Sequence, residues 1–590
     1  MQRKTPRLTR RQLLTLMGAG AATLVAGCSE DENPARESDD PTRPDVDPDG
    51  PGNGPAPAFL HGVASGDPLP TAVVIWTRVT PVETATPGAN VVVEPLPVQW
   101  EVADNAGFAG TLRSGSTMAV AEHDYTVHVD VTGLDPDRSY WYRFRSRGVT
   151  SPAGRTKTAP AASSTRAVRF GVVSCAEWEF GFFGAYGRLA ERNDLDAIIH
   201  LGDYIYEFGT SYGPVPSPGA AFDRVHEPPR ETTTLADYRQ RYGQYRSDAD
   251  LQALHARFPF ITSYDDHEVA NDWWREGAEN HDASEGDFLL RLASALQAWR
   301  EWQPLRLILT GSVQAYRRLQ YGRTVDLWML DTRLYRDQQP DNAIVGYGSV
   351  DPATDDPSRT LLGAPQKQWL FGGLPQSTAT WKVLGNQVPF YPFVLGVNLP
   401  DALQQIIDQG DGTLPPLPAT LTVEDWNGYR AEQQALIDVM DGVDDVVVLT
   451  GDYHESFAAE VPLKPGDYAL SQLAPVPLLD ARTVAVEFIC PAVTSPGLTE
   501  TLAGLGLPGD APLNINTVFE ANLTLANPWV KYHEGFRNGY GVVEFAATQA
   551  QYDFWHVDDR TDPDTAAAAV KSFRVVKGSK RLVAVTAPLS

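Results

Sequence analysis

Apolar and polar positions alternate with a period of two over residues 59–160. Val73-Val74-Ile75-Trp76 is a short apolar run. From His123 to Val131, Tyr125, Val127, Val129 and Val131 fall on one face, with Thr126, His128 and Asp130 on the other. Ser139–Arg145 repeats the pattern, Tyr140, Tyr142 and Phe144 against Trp141, Arg143 and Arg145. This alternation predicts half-buried strands. Gly133-Leu134-Asp135-Pro136 just ahead of Tyr140 predicts a tight turn closed by a tyrosine corner. The segment is therefore expected to form a small all-β sandwich.

The pattern changes near Ala167. Strand-length apolar runs now alternate with helical stretches, which favours an α/β domain over 165–560. The predicted strands are Val168–Val173, Ala197–Leu201, Phe258–Ser263, Val325–Leu330, Trp381–Leu384 and Val446–Thr450, and Phe288–Trp302 has helical spacing suited to packing on a sheet. Leu395–Thr422 is rich in Pro, Gly and Asp and reads as an insertion or loop. Asn527–Tyr540 carries Trp529, Tyr532, His533, Phe536 and Arg537, which suit either a lid or a packing role. Residues 561–590 are left as a tail or a strand.

Ahead of the sandwich the pattern is that of an address. Met1–Arg11 is basic, and Leu13–Ala26 is apolar but shorter than the roughly 20 residues that a spanning helix needs. Thr9-Arg10-Arg11-Gln12-Leu13-Leu14 resembles a twin-arginine signal, and Val25-Ala26-Gly27-Cys28 resembles a bacterial lipobox. Residues 1–27 are thus expected to be a signal peptide for the twin-arginine export machinery, with Cys28 the lipidated first residue after cleavage. Export to the periplasm or cell surface follows, with lipid as the sole membrane anchor. Residues 28–58, rich in Asp, Glu, Pro and Gly, form a solvated tether. The 590-residue chain has a net charge of −27, which disfavours nucleic acid as a partner. The same charge requires a local concentration of cations wherever an anion is bound. With only three cysteines there is no disulfide scaffold and no CxxC zinc site.

Four predicted strands run into polar clusters: Val172-Val173 into Ser174-Cys175, Ile199-His200-Leu201 into Gly202-Asp203-Tyr204-Ile205-Tyr206-Glu207, Thr262-Ser263-Tyr264 into Asp265-Asp266-His267-Glu268, and Leu449-Thr450 into Gly451-Asp452-Tyr453-His454. Ligands gather at the carboxyl ends of strands in open α/β sheets. Each cluster alone has a bland reading: a turn for Gly-Asp, a small buried apolar residue for Cys175, a satisfied core histidine for His454, helix caps for Asp265 and Asp266. Their joint occurrence, in order and each after a strand, points to a metal site.

On these stretches the chain resembles the PhoD family of alkaline phosphatases and phosphodiesterases, within the calcineurin-like metallophosphoesterase superfamily. His61–Pro68, Trp76-Thr77-Arg78, Leu330-Asp331-Thr332-Arg333 and Asn386-Gln387 carry the resemblance further. Asp266 and Asp452 stand where the wider superfamily has Asn and His, as expected of the PhoD branch. The resemblance implies a two-sheet α/β sandwich flanked by helices, preceded by a fibronectin-like β domain. It implies a bridging Asp203, a first site completed by Cys175, Tyr206 and His454 for ferric iron, and a second, oxygen-rich site of Asp203, Asp266 and Asp452 for calcium, with Asn271 and Asn386 as further oxygen ligands. Magnesium or manganese would also suit the second site. His267 is expected to hydrogen-bond phosphate or to protonate the leaving oxygen, or else merely to orient Asp266. An arginine among Arg246, Arg306, Arg333 and Arg336 would grip the phosphate.

The competing readings are a zinc hydrolase of non-phosphate bonds, disfavoured by the absence of a His-rich set such as HExxH, and an inactive surface-binding protein, disfavoured by the complete ligand set. The substrate stays open among monoesters, phospholipids, teichoic-type polymers and nucleotides.

Overall fold

A computed structural model describes residues 58–81, 86–88, 94–210, 217–307, 314–340, 345–346, 353–393, 419–420, 423–473, 480–497, 500, 520–521 and 523–589. The signal and lipobox, most of the tether and nearly all of the 395–422 insertion lie outside them. The chain divides into two compact units.

The first comprises the described residues of Met1–Ala159, Thr232–Ile261 and Ala283–Ala315. Val63–Leu69, Ala72–Arg78 and Thr126–Thr132 pair antiparallel in that order. In a second sheet Leu96–Ala103 runs between Thr111–Ala119 and Ser139–Ser146. The alternating faces do what their pattern predicts: Val127, Val131, Tyr140, Tyr142 and Phe144 join Val73, Ile75, Val98 and Val102 in one core. The Asp135 N–H donates to the Tyr140 hydroxyl at 2.8 Å, closing the predicted corner. The described residues of the unit also carry the helices Leu235–Tyr245, Ala249–Arg257 and Phe288–Trp302. Thr234, Asp248 and Asp287 cap them by accepting N-terminal amides, which otherwise lack partners. Phe288–Trp302 buries Leu292, Ala295, Leu296, Trp299 and Trp302 at helical spacing, and Trp76 donates its indole N–H to the Glu301 carbonyl at 2.8 Å.

The second unit comprises Pro160–Glu231, Thr262–Asp282 and the described residues of Tyr316–Ser590. One sheet centres on Val168–Val173, parallel to Ala197–His200 and antiparallel to Gly539–Phe545. It continues through Gln549–Val557, Ala567–Val576 and Leu582–Val585, so the chain end supplies strands. The other sheet has Val325–Met329, Trp381–Asn386, Val446–Thr450 and Thr483–Ile489 in parallel, extended antiparallel by Ser456–Pro462 and Val530–Glu534. Its central strands are buried along their whole length, as continuous apolar runs require. Helices Gly363–Gly373 and Arg430–Asp441 cover it, with Leu370, Leu436, Ile437 and Met440 packed on Leu384, Val446 and Val448. Between the two sheets Phe488 and Tyr552 stack with ring centroids 4.5 Å apart. Trp529 donates to the Pro392 carbonyl at 2.8 Å and His533 meets Glu455 at 2.5 Å, so this stretch packs as an edge strand. This α/β sandwich, with helices on its flank, is the two-sheet architecture expected from the sequence.

Candidate metal centre

The second unit collects the four predicted polar clusters. The loops after Val173 and His200 are tied together, Cys175 N–H to Gly202 O at 3.2 Å and Ala176 N–H to Asp203 O at 3.0 Å. Gly202 has φ +120°, and a Cβ there would lie 2.4 Å from the Asp265 Cβ, so only glycine lets these turns approach. Glu268 organises both turns: its carboxylate accepts from the backbone of Tyr204 at 2.7 Å, Asp265 at 2.8 Å and Asp203 at 3.1 Å.

Cys175, Asp203, Asp452 and His454 all adopt left-handed backbone, with φ of 61°, 55°, 67° and 59°. That conformation costs a side-chain-bearing residue about 1–2 kcal/mol, and such strain clusters where it re-aims functional side chains. Here it aims them together. Ligand atoms of Cys175, Asp203 and His454 lie within 4.8 Å of one another, as do those of Asp203, Asp266 and His267, and those of Asp265, Asp266 and Asp452. The Tyr206 hydroxyl joins the first group, 3.3 Å from Asp203 Oδ2 and 3.1 Å from His454 Nε2, and accepts from Ser495 at 2.6 Å. His454 donates Nδ1–H to the Pro496 carbonyl at 2.9 Å, which leaves the Nε2 lone pair for the site.

Electrostatics describe an anionic cage. Burial, then Asp203, pushes the Cys175 thiol well above its usual range. Burial, then Asp203, does the same to the Tyr206 phenol. Burial raises Asp203, opposed by His267 and reinforced by Asp266 and Asp265, and it raises Asp452, reinforced by Glu424. Burial depresses His454 to about 4, so its ring is neutral. Asp265 Oδ2 is buried without any hydrogen-bond donor, and Asp266 Oδ1 has only the Arg333 guanidinium, 3.5 Å away and outside hydrogen-bond geometry. Buried carboxylate oxygens in that state are costly unless a cation meets them. Thiol, phenol, neutral imidazole and converging carboxylates therefore fit metal ions.

His267 is set by a partner that sequence reasoning did not name. Its Nδ1 lies 2.8 Å from the buried Glu207 carboxylate, rather than on Asp266. Its ring stacks on Tyr206 at 4.1 Å, with Phe208 edge-on at 5.0 Å. Burial opposes its charge, but Asp266, Glu207 and Asp203 outweigh this and raise its pKa well above 6.5. Nε2 is left for chemistry.

The arginines divide. Arg333 is fully buried in this site, its Nε 2.5 Å from Asp265, its NH1 2.9 Å from Glu424, and its NH2 3.5 Å from Asp266 and 3.7 Å from Asp452. Arg336 joins it on Glu424 at 3.2 Å. Arg246 and Arg306 belong to the first unit and are engaged there. Arg246 sits 4.2 Å over the Trp76 ring, and Arg306 pairs with Asp130 and donates to the Asp67 carbonyl at 3.0 Å. Asn386 spends its amide on structure, donating to Val388 O at 2.5 Å and accepting from Trp426 at 3.1 Å. Asn271 donates its side-chain amide to Glu279 at 2.5 Å and its backbone N–H to Glu207 at 2.6 Å.

The family profile described as PhoD-like phosphatase matches residues 170–554, and that of the PhoD-like phosphatase N-terminal domain matches 48–160. Alkaline phosphatase D of Bacillus subtilis (strain 168) is 34% identical over 528 residues, 87% of this chain and 80% of that protein. A solved structure of PhoD is 32% identical, with a TM-score of 0.76 over 92% of this chain and 94% of that one.

Proposed function

We infer the chemistry of this site from one premise: the chain belongs to the PhoD-like phosphatase family. It is a metal-dependent phosphoric ester hydrolase of the alkaline phosphatase type. The observation that carries the assignment of the site is that left-handed Cys175, Asp203 and His454 bring their ligand atoms together, while Asp203 also lies beside Asp266 and left-handed Asp452 beside Asp265 and Asp266.

Asp203 would serve two ions, because it falls in two of the groups of ligand atoms. Cys175, Tyr206 and His454 would hold ferric iron, since thiolate and phenolate favour a strongly polarising cation. Asp266 and Asp452 would hold calcium with Asp203, since carboxylates suit hard cations; the Asp265 carboxylate lies beside Asp266 and Asp452. Bound there, the ions supply Lewis acidity toward phosphoryl oxygens and a water acidic enough to attack near neutral pH. The protein's own groups do the rest. Arg333 directs its NH2 between Asp266 and Asp452, where it meets a phosphate oxygen. His267, held by Glu207, presents Nε2 and gives a proton to the leaving oxygen. Both mono- and diesters fit this scheme.

Export through the twin-arginine route and lipidation at Cys28 are proposed on the sequence Thr9–Leu14 and Val25–Cys28. Among the described residues no helix is long and apolar enough to cross a membrane.

The test is phosphate release from a generic monoester and a generic diester, before and after chelator, with iron and calcium restored singly and together. Loss on chelation with full recovery only when both are restored is expected. Recovery with zinc alone would remove the iron–calcium assignment.

A further inference from the structure

Cys490 is fully buried at the end of the strand Thr483–Ile489 and belongs to none of the ligand groups above. Its Sγ lies 3.2 Å from the Ser174 hydroxyl, and that hydroxyl lies 3.1 Å from Cys175 Sγ. Ser174 is itself 1% exposed, so its hydroxyl is shielded from bulk solvent. We propose that Cys490 and Ser174 form a two-step hydrogen-bond relay that positions and electronically tunes the Cys175 sulfur as a metal ligand.

The backbone fixes both partners. Val493 N–H donates to Ser174 O at 3.0 Å, and Cys490 N–H donates to Thr450 O at 2.9 Å. Gly451 makes the room: a Cβ there would lie 2.9 Å from both Ser174 Cβ and Oγ. Any larger residue at 451 would press on the hydroxyl that sits between the two sulfurs. Proton accounting then sets the direction. A metal-bound sulfur carries no proton, so Cys175 can only accept. Ser174 donates its O–H to Cys175, and its oxygen accepts the S–H of Cys490. Ser174 is then used in both directions, as donor to Cys175 and acceptor from Cys490. Hydrogen bonds around a ligand sulfur are among the levers that set the potential of its metal, because they draw electron density from the sulfur. Ser174 and Cys490 are thus positioning residues that act through Cys175.

The proposal rests on Cys175 being a ligand, and its test separates failure of that reading from failure of the relay. Wild type, Ser174→Ala, Cys490→Ala and Cys490→Ser are compared at full metal occupancy, as isolated and after cobalt(II) loading. The readouts are the sulfur-to-metal absorption band and, for the iron form, the reduction potential. Ser174→Ala should move the band to longer wavelength and lower the potential. Cys490→Ala should do the same to a smaller extent, and Cys490→Ser, which keeps a donor, should stay near wild type. Unmoved bands in Ser174→Ala and Cys490→Ala, in metal-loaded protein, overturn the relay. A shift in Ser174→Ala alone removes Cys490 from it. If Ser174→Ala does not fold, the two Cys490 variants still decide, since a purely packing role predicts no difference between Ala and Ser in the band. Cobalt bands that shift as expected in a protein with no iron band overturn the ferric assignment and support the relay. Absence of any sulfur-to-metal band in both forms removes Cys175 as a ligand, and the relay with it.

Discussion

Asp203 and His267 share a cluster, and the backbone N–H of His267 lies 3.4 Å from Asp203 Oδ1, yet the two do different work. Asp203 falls in two of the three groups of ligand atoms, with Cys175 and His454 and with Asp266 and His267. His267 has its Nδ1 spent on Glu207 and its ring face on Tyr206, which suits proton delivery through Nε2. His267→Ala should therefore keep its metals and lose about 10²–10⁴ in kcat, the range for a lost general acid; metal analysis beside steady-state kinetics checks this. Glu207→Gln is the finer test. It keeps an acceptor for Nδ1–H and removes a charge that raises the His267 pKa. A raised pKa keeps the acid protonated to higher pH, so its loss should move the alkaline limb of kcat/KM to lower pH. An unmoved profile would show that Glu207 serves packing alone.

At the scale of elements, the turns after strands decide whether a site exists. Gly202→Ala places a Cβ 2.4 Å from that of Asp265 and puts a side chain on backbone at φ +120°. The variant should lose about 2 kcal/mol or more, from strain alone of about 1–3 kcal/mol, read in urea denaturation, and should bind less metal. Wild-type metal content would show that the two turns need no such closeness. The strands and the polar clusters that converge at their ends were legible in the sequence, because continuous apolar runs are followed there by Asp, Tyr, His and Cys. The supporting carboxylates were not. Glu207 and Glu268 stand in sequence beside the ligands, where an acid reads equally well as a turn or cap residue; only the fold shows Glu268 collecting three backbone amides. Glu424 follows a Pro- and Gly-rich insertion, so nothing local ties it to Arg333. Helical spacing in Phe288–Trp302 reveals which face is apolar, not which strands receive it, and the helix falls in the unit of the N-terminal strands.

Over the whole molecule a net charge of −27 opposes an anionic substrate, and the site answers with Arg333 at its centre and a ligand set for cations. The same scale carries the address. Cys28→Ser should release the protein from the membrane fraction with catalysis intact, and replacing Arg10 and Arg11 by Lys should stop export; membrane association unchanged in Cys28→Ser contradicts the lipid anchor. At the centre of the molecule's chemistry one carboxylate, Asp203, falls in two groups of ligand atoms. Asp203→Asn keeps the size of the side chain and removes its charge, so metal per chain and phosphate release should be measured on the same purified samples of wild type and variant. Turnover should vanish with loss of metal from both groups. A variant that retains its full metal complement and hydrolyses phosphate esters at the wild-type rate would contradict the assignment of this centre.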